Sequence, residues 1–127
     1  MRFCFTFRPR FSSAVKAAFL DRDGVINVDY AYVHSRENFH FIPGALEGAA
    51  ELVRKGHQLI IVTNQSGIGR GKYSIDQFRE LTFWLAGVFA RNHAPLSAVY
   101  FCPHHPTHAF APYLKGCDCR KPNPGML

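Results

Sequence analysis

Hydrophobic and polar positions fall into blocks along the chain, and the period of each block predicts its conformation. Residues 15–20 form a short apolar run that stops at Asp21, as expected of a buried strand. Residues 24–42 show no period and carry scattered aromatics (Tyr30, Tyr32, Phe39, Phe41), so they read as a loop. Pro43-Gly44 then opens a segment in which Ala45, Leu46, Ala49, Ala50, Leu52 and Val53 keep helical spacing up to Gly56. Residues 57–62, with Leu59-Ile60-Ile61-Val62, predict a second buried strand, and Gly67, Gly69 and Gly71 a flexible loop. Ser74 suits the N-cap of a second helix carrying Ile75, Phe78, Leu81, Leu85 and Val88 on one stripe. Residues 96–101 predict a third strand. Strands alternating with helices imply a parallel sheet with helices on its faces, a Rossmann-like three-layer α/β architecture. Ligands of such sheets bind at the carboxyl ends of the strands, so the residues just after each strand become the candidates for chemistry.

Composition narrows the class. A chain of 127 residues allows one domain, and it buries roughly two-thirds of its unfolded surface. With 47% hydrophobic and 19% charged residues, chain-wide disorder is excluded. No apolar run approaches the ~18 residues of a membrane-spanning helix. The net charge of +6 is uneven: residues 1–16 hold Arg2, Arg8, Arg10 and Lys16 and no acid. Three readings of this basic leader compete: a loose extension, a weak transit-like segment, or an added edge strand in which Phe3, Phe5 and Phe7 alternate with other residues. The first is preferred, giving a poorly ordered leader over 1–16 and one domain over 17–127. A secretory h-region and cleavage site are missing, so the protein is read as cytoplasmic.

Four constellations follow the predicted strands. Asp21-Arg22-Asp23-Gly24 puts two carboxylates at i and i+2, on the same side of an extended chain. One could attack phosphorus and the other serve as general acid and base, with Mg²⁺ as a suitable hard cation. The same motif could equally be a solvated strand end. Thr63-Asn64-Gln65-Ser66-Gly67 offers a hydroxyl and backbone N–H groups for a phosphate, or simply a capping turn. It matches neither a dinucleotide fingerprint nor a P-loop. Cys102-Pro103-His104-His105 with Cys117-Asp118-Cys119 gives three thiols and an imidazole, enough for a closed tetrahedral Zn²⁺ site. His105 and His108 are alternative fourth ligands, and buried thiols or one disulfide are the simpler readings. Arg120-Lys121-Pro122 follows directly, so a metal-pinned loop would hold two cations near the strand ends.

Taken in order, Phe19-Leu20-Asp21-Arg22-Asp23-Gly24-Val25-Ile26-Asn27, the stretch from Thr63 to Gly71, and Cys102 to His105 with Cys117 to Pro122 resemble the haloacid dehalogenase superfamily. Within it they resemble the group of heptose-bisphosphate and histidinol-phosphate phosphatases, over about Ala17 to Leu127. The resemblance implies a Mg²⁺-dependent phosphatase that removes the 7-phosphate of D-glycero-D-manno-heptose 1,7-bisphosphate through an aspartyl-phosphate. That activity belongs to lipopolysaccharide biosynthesis. Asp21 would be nucleophile and Mg²⁺ ligand, and Asp23 general acid/base and Mg²⁺ ligand. Thr63 and Lys121 would stabilise the phosphoryl group. Arg22, Asp29, Tyr32, Asn64, Gln65, Ser66 and Arg120 would meet the substrate. Cys102, His104, Cys117 and Cys119 would hold Zn²⁺. In the 29–32 loop Ala31 stands where family members often carry Gly, a poor residue for positive φ. No Asp or Glu follows Asp118, whereas the family supplies a third acidic Mg²⁺ motif further on. The chain is therefore expected to be a C-terminally incomplete piece of a longer phosphatase, slow or inactive alone. The implied partner is a small-molecule sugar bisphosphate, with no nucleic acid or membrane, and the protein is taken as a monomer. Histidinol phosphate is the alternative substrate. A zinc-containing nucleic-acid-binding module is the alternative of another class, weakened because the charge excess lies in the leader.

Overall fold

The computed structural model describes residues 3–7 and 16–127. Strand β1 is Cys4–Thr6 and β2 is Lys16–Leu20. Helix α1 (Ala45–Arg54) precedes β3 (His57–Asn64), and the short α2 (Ser66–Gly69) precedes α3 (Ile75–Arg91) and β4 (Leu96–Cys102). The predicted strands and long helices all form, within one or two residues of their expected ends. The glycine segment after β3 departs from expectation, because residues 66–69 make a helical turn.

The sheet order is β1-β4-β3-β2. Strands β2, β3 and β4 run parallel, with Leu20 opposite Ile61, Thr63 opposite Phe101 and Asn64 opposite Cys102. This register brings Asp21, the end of β3 and the end of β4 to one edge. Helix α3 starts at a capping box: the Gln77 N–H donates to Ser74 Oγ at 3.1 Å, and the Ser74 N–H donates to Gln77 Oε1 at 2.8 Å. Its stripe of Phe78, Leu81, Leu85 and Phe89 buries against Leu59, Ile61, Val99 and Phe101, with Ala49 of α1 in the same cluster. Full burial of each such side chain is worth about 1.5–3 kcal/mol.

Both long helices thus belong to one face of the sheet. This corrects the three-layer expectation for the described residues. The opposite face, with Ile60, Val62 and Ala98, is covered by Met126, Cys117 and Cys119. It leaves Phe19 of β2 at 52% exposure. The period-2 alternation explains the division, since odd residues of β3 face the helices and even ones face away.

The leader departs from the expected loose extension at residues 4–6. These pair antiparallel with β4, Phe5 opposite Val99, which makes the sheet mixed rather than all-parallel. The Phe101 N–H donates to the Phe3 carbonyl at 3.0 Å and the Phe7 N–H to the Ser97 carbonyl at 2.8 Å. The alternation of Phe3, Phe5 and Phe7 puts all three rings against one cluster: Phe3 and Phe5 lie 5.5 and 5.4 Å from Phe101, and Phe7 lies 5.6 Å from Phe83. Arg8, Pro9 and Arg10 lie outside the described residues. The Phe5→Ala variant should lose about 2 kcal/mol of stability in urea unfolding. An unchanged midpoint would return residues 4–6 to the status of a loose extension.

Candidate active site

The site is built at the carboxyl edge of the three parallel strands. Asp21 is the first residue past β2. Its Oδ1 accepts the Arg22 N–H at 2.8 Å, and its Oδ2 lies 2.9 Å from Lys121 Nζ. Asp23, two residues on, shares the cleft. Its Oδ1 accepts from Arg22 Nη2 at 2.7 Å and from Asn27 Nδ2 at 3.0 Å, and its Oδ2 accepts from Gln65 Nε2 at 3.0 Å. The two carboxylates are therefore held differently. Asp21 faces a single flexible cation, whereas Asp23 sits in a frame of three donors.

That frame continues into the core. Gln65 is buried, donates also to Thr63 Oγ1 at 2.9 Å, and accepts the Tyr73 hydroxyl on its Oε1. Burial pushes the Tyr73 phenol well above its ordinary range, so the hydroxyl stays protonated and remains a donor. A donor on Oε1 fixes which way the amide faces: its NH₂ must point at Asp23. Tyr73 was not among the residues singled out in the sequence, because it lies between Gly71 and Ser74, where no period marks it. Gly67 packs beneath the same ring, and a Cβ there would overlap the Tyr73 and Tyr32 side chains.

A cleft of about 340 Å³ opens above these groups. Among its walls are the expected Asp21, Asp23, Asp29, Tyr32, Asn64, Gln65, Ser66, Arg120 and Lys121, together with Ala31, Gly67 and Tyr73. Two expected residues stand elsewhere. Arg22 was expected at the substrate, yet it is only 2% exposed. Its Nη2 also donates to the Val33 carbonyl at 2.8 Å, and its guanidinium lies 5.7 and 5.9 Å from the Phe39 and Phe78 rings. The reason is the alternation that aligns Asp21 with Asp23: the residue between them must point the other way, into the core. Thr63 is 1% exposed, and its hydroxyl is spent on Gln65 and, at 3.4 Å, on the Asn64 carbonyl. It supports the floor of the cleft instead of lining it.

The 29–32 loop forms one wall. Asp29 Oδ1 accepts the Ala31 N–H at 3.0 Å, and Ala31 and Tyr32 both take left-handed backbone, φ +64° and +56°. The Tyr32 ring carries Arg70 and Lys72 at 5.9 and 5.6 Å. Positive φ at Ala31 is the strain foreseen from the missing glycine, about 1–2 kcal/mol for an L-residue.

Beyond β4 the chain turns into the cysteine segment. Cys102, His104, Cys117 and Cys119 converge, with their ligand atoms all within 4.8 Å of one another. Cys102 Sγ lies 3.4 Å from Cys117 Sγ and 2.8 Å from Cys119 Sγ, and His104 Nδ1 lies 3.3 Å from Cys119 Sγ. All are free thiols. Three sulfurs and one imidazole in a closed knot fit a four-coordinate soft metal with no open position. The alternatives for the imidazole resolve to His104. His105 is occupied elsewhere, its Nδ1 accepting the Thr107 and His108 N–H groups at 3.1 and 3.0 Å. Burial pushes the Cys102 and Cys119 thiols up and the His104 imidazole down, while the Cys117 thiol is lowered. The knot ends at Cys119, so Arg120 and Lys121 leave it straight into the cleft.

The mixed α/β sheet that carries the paired carboxylates, the distant lysine and the cysteine knot is similar in fold to solved haloacid dehalogenase-like phosphatases. A putative phosphatase of that kind from Mesorhizobium loti superposes with a TM-score of 0.88 at 31% identity, covering 98% of this chain and 60% of the other. By sequence the chain is similar to D-glycero-beta-D-manno-heptose-1,7-bisphosphate 7-phosphatases. That of Vibrio cholerae is 53% identical over 114 residues, and that of Escherichia coli K12 is 49% identical over 116 residues. The alignments cover 90% and 91% of this chain, which spans 61% of each relative's length. The D,D-heptose 1,7-bisphosphate phosphatase of B. bronchiseptica, solved with magnesium and phosphate, gives a TM-score of 0.78 at 34% identity, covering 88% of this chain and 59% of that one. No family model matches the chain. Among the described residues, no helix is long and apolar enough to cross a membrane.

Relief of the strained loop is measurable. Ala31→Gly should raise stability by about 1 kcal/mol, the removed strain exceeding the added freedom of the unfolded chain. A lower thermal midpoint would contradict the left-handed assignment at residue 31.

Proposed function

We propose that this chain belongs to a phosphatase acting on D-glycero-D-manno-heptose 1,7-bisphosphate, with the 7-phosphate removed and Asp21 as the nucleophile. The observation that carries the reading is the Lys121 ammonium 2.9 Å from Asp21 Oδ2 at the strand ends, with Asp23 braced beside it. The names of the curated relatives supply the substrate class.

The chemistry follows from the two carboxylates. An Asp21 oxygen attacks phosphorus as the bond to the sugar oxygen breaks, forming an aspartyl-phosphate. The leaving alkoxide takes a proton from Asp23. Asp23, now a carboxylate, then accepts a proton from water as that water attacks the phosphorus. Inorganic phosphate leaves and Asp21 is restored. Lys121 offsets the charge gathering on the transferring group. Arg120, which also lines the cleft, suits the phosphate that stays on the sugar, since a guanidinium binds phosphate bidentately. Tyr32, Asp29 and Ser66 line the same cleft.

Two metals belong to this reading. The hard oxygens of Asp21 and Asp23 fit Mg²⁺, which would neutralise part of the phosphate charge. The Cys102, His104, Cys117 and Cys119 knot fits Zn²⁺, which would tie residues 102–119 into one unit and so anchor Arg120 and Lys121.

Phosphate release should be compared on the heptose 1,7-bisphosphate anomers, fructose 1,6-bisphosphate and histidinol phosphate, using this chain and any longer product that contains it. The heptose bisphosphate should be preferred, and Asp21→Asn should abolish release while leaving the fold intact. Full activity in Asp21→Asn, or a preference for histidinol phosphate, would overturn the assignment. The metal knot is tested separately: purified protein should hold one zinc, and Cys117→Ser should lower its affinity by at least about a hundredfold. Unchanged affinity would remove Cys117 from the ligand set.

A further inference from the structure

Asn64 was read from the sequence as a substrate contact, but the structure gives its amide another partner. Lys121 belongs to a segment of turns and bends, so no strand or helix supplies partners for its backbone. Asn64 supplies both. Its Oδ1 accepts the Lys121 N–H at 2.8 Å, and its Nδ2 donates to the Lys121 carbonyl at 3.2 Å. The pair reproduces, through one side chain, the double contact that a neighbouring strand would offer. Asn64 is itself fixed, being the last residue of β3 and paired with Cys102 of β4. A rigid point of the sheet is thereby tied to a residue 57 positions later.

The consequence is electrostatic. A lysine ammonium sits on a flexible stem whose ordering costs rotamer entropy. Its reach to Asp21 Oδ2, 2.9 Å, depends on where the Lys121 backbone stands. The cysteine knot anchors the chain two residues earlier, at Cys119, and the Arg120 carbonyl accepts the Asn123 N–H at 2.8 Å. Neither contact holds the Lys121 amide itself, which the Asn64 side chain does.

We propose that Asn64 is a positioning residue, a clasp that holds the Lys121 backbone so that its ammonium meets the charge of the phosphoryl group on Asp21. The clasp rests on reading the cleft as a phosphate site. It acts through Lys121, which separates it from direct contact with the anion. A direct contact loses its energy whether or not Lys121 is present. A clasp has nothing left to position once the ammonium is gone.

The test is a double-mutant cycle read by calorimetric titration of the folded chain with inorganic phosphate in the presence of Mg²⁺, alongside amide hydrogen exchange at Lys121. Asn64→Ala should weaken phosphate binding about tenfold, the effect of one misplaced charge-assisted contact. In a Lys121→Ala background, the same substitution should change affinity less than about twofold. The Lys121 N–H should exchange slowly in the wild type and fast in Asn64→Ala. A full tenfold loss in the Lys121→Ala background would make Asn64 an anion contact and overturn the clasp. An unchanged affinity in Asn64→Ala alone would overturn it as well. If the wild type binds no phosphate, the phosphate-site reading fails by itself. The clasp is then judged on exchange, where equal rates in wild type and variant refute it. Should Asn64→Ala not fold, fast exchange of the Lys121 amide in the wild type refutes it and slow exchange supports it.

Discussion

The attraction between the Lys121 ammonium and the Asp21 carboxylate organises the rest of this molecule. The two residues are a hundred positions apart in sequence, yet their charged atoms stand 2.9 Å apart at the edge of the sheet. Neither is buried, so the pair alone stabilises the fold by little. Its importance lies in what must be spent elsewhere to keep it in place. The sheet register sets Asp21, the cysteine knot closes residues 102–119, and the Asn64 amide joins the far end of the loop to β3. A cation held this way meets incoming negative charge with no reorganisation of its own, which is where preorganised electrostatics help catalysis most.

The other carboxylate shows the complementary solution. Asp23 is surrounded by donors from three places: Arg22 beside it, Asn27 across a tight turn, and Gln65 from the end of β3. Gln65 is in turn oriented by Tyr73, whose buried phenol keeps its proton. A group that must give and take protons during one reaction has to stay in one orientation in both states. A network that reaches into the core provides this better than contacts from mobile surface chains. Asp21, by contrast, has to reach phosphorus, and among the described residues it meets only the Arg22 backbone N–H and the Lys121 ammonium.

Much of this was legible in the residues. The apolar runs at 15–20, 57–62 and 96–101 located the parallel strands, because buried strands tolerate few polar residues, and the capping box at Ser74 marked the start of α3. The type and spacing of Cys102, His104, Cys117 and Cys119 marked them as a candidate metal set, and their ligand atoms converge to within 4.8 Å of one another. What escaped did so for physical reasons. Strand β1 is three residues long, too short for a period to rise above chance, although its alternating phenylalanines carried the signal. Arg22 was placed at the substrate, even though the rule that aligns Asp21 with Asp23 turns Arg22 inward. Thr63 was read as stabilising the phosphoryl group and Asn64 as meeting the substrate. The partners they have in the structure, Gln65 and the Lys121 backbone, depend on tertiary contacts that no local pattern encodes. Tyr73 had no pattern to announce it at all. The second helical layer expected from the α/β alternation is not found among the described residues, where the cysteine segment and Met126 cover that face instead.

The most direct measurement is a crystal structure of the protein with Mg²⁺ and fluoroberyllate, which mimics a phosphoryl group on a carboxylate. The account requires beryllium bonded to an Asp21 side-chain oxygen, with Lys121 Nζ within hydrogen-bonding distance of a fluoride and Asp23 facing the side where the leaving oxygen would stand. Fluoroberyllate bound elsewhere in the cleft, or an Asp21 carboxylate free of it under saturating conditions, would contradict the account at its centre.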